Sequence, residues 1–424
     1  MDEYKKRVAD KLLEKKLKSK GAVLIQGAKW CGKTTTAEQI AKSVLYMAQP
    51  ENKSQNLILS DINPTQLLEG EVPRLIDEWQ IAPKLWDAIR FEIDHRNKEG
   101  NFILTGSSVP ADMTEVTHTG TGRFAWFTMR PMSLYESGES NGEISLEELF
   151  KSEKSISSTN KLSLEDIAFL CCRGGWPRSI FMEKEIALEQ AVDYYDAVVY
   201  SDISRVDGIK RDPERVKNLM RAYSRNIGTS ASNETIKNDM INNDVASLDT
   251  DTIYTYIEAL KKIFVIEEVS SWNPNLRSQT AIRSSNTRYF VDPSIATASL
   301  GIGPNDLLND LRTFGFIFEA LCIRDLRVYA ESLDGNVYHY RDANGLECDA
   351  VIHLRNGSYG LVEIKLGGDK LISEGIDNLK NMYSKIDIDK MKKPAFMMVL
   401  TATGNYAYKR EDGIYIVPIG CLKD

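Results

Sequence analysis

The spacing G-x-x-x-x-G-K-T across residues 27–34 limits most strongly what this chain can fold into. A short apolar run at residues 22–25 precedes it, and a segment of helical composition follows it. Glycines let a backbone wrap closely around phosphate oxygens, and the loop amides and the helix N-terminus direct partial positive charge at them. The sequence therefore predicts a strand, a phosphate-binding loop and a helix that together bind a nucleoside triphosphate.

The residue types within this loop indicate separate tasks. Lys33 adds a full charge that can reach the terminal phosphates, and the Thr34 hydroxyl is placed to ligate Mg²⁺. The other positions surround the phosphates with backbone amides. The predicted nucleotide-binding residues are Gly27, Ala28, Lys29, Trp30, Cys31, Gly32, Lys33, Thr34 and Thr35.

A second element, at residues 74–78, is an apolar strand that ends in two acids. Asp77 would hold the magnesium ion through water, and Glu78 would polarise the water that attacks the terminal phosphate. Taken alone, the pair could equally be solvated acids at a strand end. Because it follows the phosphate-binding loop, the pair favours hydrolysis over nucleotide binding alone.

Composition narrows the class of protein. A chain of 424 residues with 42% hydrophobic and 27% charged residues predicts two or three globular domains. No apolar run has the length of a membrane span, and the N-terminus lacks a signal peptide, so a cytoplasmic protein without membrane contact is expected. The net charge of −8 argues against an extended nucleic-acid-binding surface, although local patches stay open.

Apolar runs alternate with helical patterns through the first part of the chain, which indicates a mostly parallel sheet covered on both faces. The carboxyl ends of parallel strands meet at one edge, so the phosphate-binding loop, the two acids and residues 105–108 should lie together. The predicted strands cover residues 22–25, 57–60, 74–78, 102–108 and 124–129, and the predicted helices cover residues 1–20, 33–47 and 83–96.

The order of these motifs resembles the bacterial and archaeal AAA-type ATPases that carry a C-terminal domain of unknown function. The resemblance covers nearly the whole chain and rests on residues 21–37, 75–80, 102–108, 122–123 and 130–134. It implies a P-loop NTPase sheet of the AAA type that uses ATP and magnesium.

The same resemblance implies two further catalytic residues. Ser107 would be the polar sensor of the terminal phosphate, with Thr105 and Ser108 as alternatives. Arg123 stands where AAA proteins present an arginine finger to a neighbouring subunit, which would make the protein a homo-oligomer; a surface arginine is the alternative. The turn at residues 173–178 would belong to a lid over the nucleotide, where Arg178 could contact phosphate or serve only a structural role.

The middle of the chain changes to short helices, predicted at residues 216–226, 232–240 and 250–264. A strand at 265–269 and a turn at 272–274 follow, and this arrangement is typical of a winged helix, a module that often enters a DNA groove. Residues 205–225 hold seven Lys or Arg against three acids, and Arg277, Arg283 and Arg288 stand in a stretch without acids. However, the third helix has an acidic start, which suits phosphates poorly, so a protein partner is favoured as much as DNA.

The last part contains a second set of chemical groups. Asp349, Glu363 and Lys365 follow the arrangement D-x(13)-E-x-K, and Glu319 lies on a preceding predicted helix. The arrangement resembles the PD-(D/E)XK nuclease fold, which implies carboxylates that hold Mg²⁺ against a phosphodiester and a lysine that activates water. Folds of this type also serve as binding modules without cleavage. A buried strand is predicted at residues 395–401 and an edge strand at 414–419.

The predicted protein is thus an α/β ATPase followed by a winged-helix-like middle and a nuclease-like C-terminal domain. Its expected function is Mg²⁺-dependent ATP hydrolysis that drives conformational change in the C-terminal domains. The alternatives are an ATP-gated DNA-processing nuclease and a low-turnover signalling switch or scaffold that binds a protein partner. The predicted domains are an AAA-type core at 1–140, an insertion and helical lid at 141–212, the winged-helix-like part at 213–290 and the nuclease-like part at 291–424.

Overall fold

Two large β-sheets, one near each end of the chain, organise the computed structural model of this protein. The structure describes residues 4–108, 119–151, 155–244, 249–273, 285–342, 345–386 and 391–424. Within those residues, no helix has both the length and the apolar character needed to cross a bilayer.

The N-terminal sheet consists of five parallel strands in the order β2-β3-β4-β1-β5. Its strands and helices follow one another as α1 (Val8–Leu17), β1 (Ala22–Gln26), α2 (Lys33–Glu38), β2 (Ser43–Tyr46), α3 (Lys53–Ile62), α4 (Pro64–Leu67), β3 (Arg74–Asp77), α5 (Leu85–Arg96), β4 (Phe102–Gly106) and β5 (Phe124–Thr128). The predicted parallel sheet is confirmed, as are four of its strands and helix α5.

Alternate residues of the strands cover opposite faces of this sheet. Leu24 and Ile76 pack with Trp79 and Trp86 on the face covered by α4 and α5. The intervening residues, among them Ile25, pack with α1 and α2 on the other face. Helices on both faces explain why the central strands are apolar throughout.

Two predictions for this part are wrong. The helix after the phosphate-binding loop ends at Glu38, and the second strand begins at Ser43. The predicted strand at residues 57–60 instead lies in α3. A short apolar run is compatible with either a strand or a helix, and here Leu57 and Leu59 pack against the core as parts of a helix.

The middle of the chain is mostly helical, and its three predicted helices are confirmed as α11, α12 and α13. Its elements are α6 (Leu134–Ser137), β6 (Ile144–Ser145), α7 (Leu146–Lys151), β7 (Ser157–Thr159), α8 (Leu164–Arg173), α9 (Lys184–Ala197), α10 (Ile203–Arg205), α11 (Pro213–Arg225), α12 (Asn233–Asp244), α13 (Thr250–Lys262), α14 (Pro293–Leu300) and α15 (Pro304–Asn309). After α13, antiparallel bridges join Ile266 to Phe290 and Val269 to Thr287. Arg277 and Arg283 lie outside the described residues, and the winged-helix assignment stays a prediction.

The C-terminal sheet has seven strands in the order β7-β12-β13-β11-β10-β9-β8. Its elements are α16 (Leu311–Ser332), β8 (Gly335–Arg341), β9 (Glu347–Leu354), β10 (Tyr359–Lys365), α17 (Asp369–Lys385), β11 (Phe396–Thr401), β12 (Tyr406–Lys409), β13 (Tyr415–Pro418) and β14 (Leu422–Lys423). The predicted buried strand is confirmed as β11. The strand predicted at residues 414–419 is present as β13. Its predicted position at the edge is wrong, because β12 pairs with β13 and β7 pairs with β12.

Strands β6 and β7 connect the segment after the first sheet to the end of the chain. Strand β6 pairs with β14, and β7 pairs with β12. Helix α1 also packs against α16. The N-terminal and C-terminal parts are therefore in direct contact within the described structure.

Candidate nucleotide-binding site

The phosphate-binding loop joins the end of β1 to the start of α2, at the carboxyl edge of the parallel sheet. Gly27 has φ +149°, and a Cβ atom there would lie 2.1 Å from the carbonyl oxygen of Met129. Gly32, with φ +101°, caps the N-terminus of α2. Only glycine tolerates both the backbone conformation and the close approach at residue 27.

The ammonium group of Lys33 is folded over this loop. Its Nζ atom donates to the carbonyl oxygens of Gly27, at 2.9 Å, and Ala28, at 2.7 Å. The side chain is buried and stands in the first turn of α2. The positive charge predicted for the terminal phosphates is thus held within the loop that would surround them.

Thr34 and Asp77 meet across the gap between α2 and β3. The Thr34 hydroxyl donates to Asp77 Oδ1 at 2.6 Å. The Thr105 hydroxyl donates to the same oxygen at 2.6 Å, because β3 and β4 are neighbours with Asp77 opposite Thr105. The arrangement places a hydroxyl and a carboxylate, both hard oxygen ligands, side by side.

Glu78 adopts a left-handed backbone conformation, with φ +57° and ψ +45°. Its Oε2 atom accepts a hydrogen bond from the Ser107 hydroxyl at 3.3 Å and another from the Gln80 side-chain amide. Ser107 therefore contacts Glu78, whereas its alternative Thr105 contacts Asp77. Sequence reasoning assigned no role to Gln80, although it stands only two residues after Glu78.

Two further parts of the chain contact the loop. Lys29 Nζ forms an ion pair with Asp202 Oδ1 at 2.6 Å, in the π-helical turn that follows α9. Arg7 Nη1 donates to the carbonyl oxygen of Cys31 at 2.8 Å. Trp30 is 62% exposed. The sequence contained no signal for the partner of Lys29, because the two residues are distant along the chain.

The turn at residues 174–175 is held by a buried ion cluster. The Gly175 amide donates to Asp292 Oδ2 at 2.9 Å, and Arg324 Nη1 donates to the same oxygen at 2.9 Å. Arg178 follows in a short 3₁₀ turn with its side chain exposed. A contact between Arg178 and phosphate stays a prediction.

Arg123 lies at the opposite edge of the sheet from the phosphate-binding loop, since it immediately precedes β5. Its Nε atom contacts Asp94 Oδ1 at 2.9 Å. The hydrogen bond between them raises the pKa of Arg123 and lowers the pKa of Asp94. Arg123 is thus remote from the loop of its own chain, and a role in a neighbouring copy stays a prediction.

The C-terminal residues predicted from the nuclease resemblance lie close together on β9, β10 and α16. Lys365 Nζ contacts Asp349 Oδ2 at 3.1 Å and Glu363 Oε2 at 2.8 Å. Burial raises the pKa of Glu363 to about 8, and Asp349 adds to this effect while Lys365 opposes it. Burial and then Asp349 likewise raise the pKa of Glu319 to about 8.

The middle of the chain contacts this acid-lysine cluster, which comprises Glu319, Asp349, Glu363 and Lys365. The Tyr289 hydroxyl donates to Glu319 Oε1. Across the described residues, no three His, Cys, Asp or Glu side chains are grouped as ligands for a metal ion. The cluster therefore brings the four predicted residues together, and a metal at this position stays a prediction.

Comparisons with known families divide the chain into three matched stretches. Residues 19–138 match the model of an AAA domain. This stretch is thus similar to AAA domains, and the match supports the predicted P-loop ATPase. Residues 164–306 and 314–422 match two domains of unknown function, DUF8612 and DUF4143 respectively. The winged-helix-like and nuclease-like assignments consequently stay predictions.

Two solved structures are distantly similar to this chain. The Walker-type ATPase PABY2304 of Pyrococcus abyssi is 16% identical, with a TM-score of 0.42, over 70% of this chain and 96% of that chain. A Signal Transduction ATPase with Numerous Domains (STAND) protein with a tetratricopeptide repeat sensor, PH0952 from Pyrococcus horikoshii, is 14% identical, with a TM-score of 0.21. That match covers 78% of this chain and 50% of the other. No curated protein matches the chain.

Proposed function

We propose that this protein binds ATP and hydrolyses its terminal phosphate with Mg²⁺, and that the nucleotide cycle repositions the C-terminal domains. The observation that carries the proposal is the 2.6 Å hydrogen bond between Thr34 and Asp77 beside the loop that holds Lys33. An ammonium group, a hydroxyl and a carboxylate at a glycine-rich loop are the groups that a magnesium-bound triphosphate requires.

Each side chain has a separate role in this proposal. Lys33 exchanges its two loop carbonyls for phosphate oxygens and stabilises their charge. Glu78 orients the attacking water and accepts its proton. Ser107 contacts Glu78 and senses the loss of the terminal phosphate.

Magnesium fits the residues present. The Thr34 hydroxyl and the Asp77 carboxylate are hard oxygen ligands on adjacent elements, and Mg²⁺ is usually held by one or two such protein groups together with phosphates and water. When bound, the ion neutralises charge on the phosphate oxygens. Asp77 would then release the Thr34 hydroxyl from their present hydrogen bond.

Coupling to the rest of the chain is supported by a group of half-buried ion pairs after β5. Arg130 contacts Glu267 at 2.5 Å and Glu331 at 2.8 Å, and Arg327 contacts Glu267 at 3.1 Å. Arg130 belongs to the ATPase part, Glu267 to the middle part and Glu331 to α16. A displacement at the end of β5 would therefore act on both downstream parts together.

Phosphate release measured for the wild type, Lys33→Ala and Glu78→Gln tests the proposal, with Glu69→Gln as an exposed control on the same domain. Glu78→Gln should retain ATP binding and lose about a hundredfold or more in turnover, because it cannot accept a proton. Lys33→Ala should lose ATP binding. Turnover of Glu78→Gln equal to that of the wild type would refute the role of Glu78.

A wild type that scarcely hydrolyses ATP, with partner binding altered in Glu78→Gln, would instead favour a signalling switch or scaffold.

A second candidate function, DNA cleavage gated by ATP, is favoured by the acid-lysine cluster. Three carboxylates and one ammonium share a small volume, and the raised pKa values of Glu319 and Glu363 reflect burial and negative charge that Lys365 does not fully compensate. Nicking of plasmid DNA that requires Mg²⁺ and is lost in Lys365→Ala would support cleavage at the cluster, and nicking altered in Lys33→Ala would support its gating by ATP. Nicking unaffected by Lys365→Ala would exclude this assignment.

A further inference from the structure

We infer that Gln80 is a positioning residue for ATP hydrolysis, because its side-chain amide fixes the carboxylate of Glu78. The inference rests on the proposed function. Gln80 is not among the catalytic residues predicted from the sequence. In the proposed function it contacts neither the phosphates nor the ligands of the magnesium ion. Its role is to hold one oxygen of Glu78 so that the other is presented to the attacking water.

Two hydrogen-bond donors converge on a single carboxylate oxygen. Gln80 Nε2 and Ser107 Oγ both donate to Glu78 Oε2, whereas no donor in the described part of the structure bonds to Glu78 Oε1. The two donors belong to different elements, the turn after β3 and the end of β4, and together they restrain the rotation of the carboxylate. Oε1 is therefore the oxygen left to accept a proton from water.

The backbone around Glu78 is equally constrained. The backbone of Glu78 has the left-handed conformation, and the following residues Trp79–Ile81 form a 3₁₀ turn. The indole of Trp79 is 3% exposed and packs in the core beneath the sheet. Because this buried ring anchors the turn, core packing sets the position of Gln80 relative to Glu78.

The placement of the Gln80 amide lowers the stability of the fold. Its Oε1 atom is buried and has no hydrogen-bond partner among the described residues. A Cβ atom at Gly106 would lie only 3.0 Å from that oxygen, so glycine at the end of β4 makes room for it. Only the nitrogen of the amide can donate to a carboxylate, which decides its orientation. A buried amide oxygen without a partner destabilises a fold, so an apolar side chain would serve stability better.

Gln80→Met tests the inference, because methionine keeps the length of the side chain and removes both polar atoms. We expect kcat for ATP to fall by about ten- to a hundredfold, the size of effect that misplacement of a reacting group produces. The Kd for Mg-ATP and the KM should stay within about twofold of the wild-type values. Gln80→Glu, which keeps the shape and loses the donor, should show the same loss. Gln66→Met, at an exposed position on α4, should leave turnover unchanged.

A double variant separates positioning from packing. In single-turnover measurements, adding Gln80→Met to Glu78→Gln should cause no further loss, since the first residue acts through the second. An equal further loss in the double variant would show that Gln80 acts elsewhere and would overturn the inference. Wild-type turnover in Gln80→Met would also overturn it while leaving the proposed function intact. Absence of turnover in the wild type would overturn both.

Discussion

Replacing Arg130 with methionine should destabilise the protein, because it removes a half-buried positive charge that pairs with two carboxylates. Burial raises the pKa of Glu267, but Arg130 and Arg327 overcome this effect and lower it from 4.5 to about 2. A decrease of that size corresponds to about 3 kcal/mol of stability at neutral pH, and Arg130 shares this contribution with Arg327. The Glu267 side chain is 24% exposed, and it borders a cavity of about 470 Å³ between the domains, so screening by water should reduce the loss to about 2 kcal/mol.

The dependence on pH gives this prediction a second test. The contribution of Glu267 is complete above its unfolded pKa of 4.5 and disappears as the pH falls through its folded pKa of about 2. The difference between wild type and Arg130→Met in urea unfolding should therefore be largest at pH 7 and about half as large at pH 3. Arg205→Met, at an exposed position, is the control. A loss below about 0.5 kcal/mol at pH 7, or one independent of pH, would refute the reasoning.

Three further predictions concern the two candidate sites. Gly27→Ala should weaken Mg-ATP binding tenfold or more by calorimetry, because its Cβ would lie 2.1 Å from the Met129 carbonyl oxygen; unchanged affinity would contradict the loop geometry. Thr34→Val should raise the magnesium concentration that gives half-maximal phosphate release by about tenfold, since valine keeps the shape and loses the proposed ligand; an unchanged magnesium requirement would exclude that role. Lys365→Met should raise the pKa of Glu363 above about 8 in a carboxyl NMR titration, because the ammonium group lowers it; a lower value would mean that Lys365 does not stabilise the carboxylate.

Much of the N-terminal part could be predicted from sequence because its signals are local. The glycines and Lys33 lie within one loop, and the acids Asp77 and Glu78 end one apolar strand. Parallel strands share a carboxyl edge, so the two motifs were expected to meet, and Thr34 does contact Asp77. No long-range information was needed for that step.

The local sequence pattern gave a wrong prediction where the same residues suit both a strand and a helix. Residues 57–60 are apolar enough for a buried strand, yet the run lies in α3 and Ile58 is 59% exposed. The strand next to β3 is instead β2, whose residues Ser43–Tyr46 are only half-buried or exposed. The neighbours in the sheet decided which run became the strand.

The sequence by itself determined the groups available for chemistry: a phosphate-binding loop, a paired Asp and Glu, and the acid and lysine residues near the C-terminus. Tertiary structure alone decided which groups restrain one another, namely Asp202 on Lys29, Gln80 on Glu78 and Tyr289 on Glu319. The physical reason is the range of the interactions. Residue type and spacing set the local turns and strands, whereas a hydrogen bond or ion pair depends on side-chain directions that are defined only when the helices and sheets pack together.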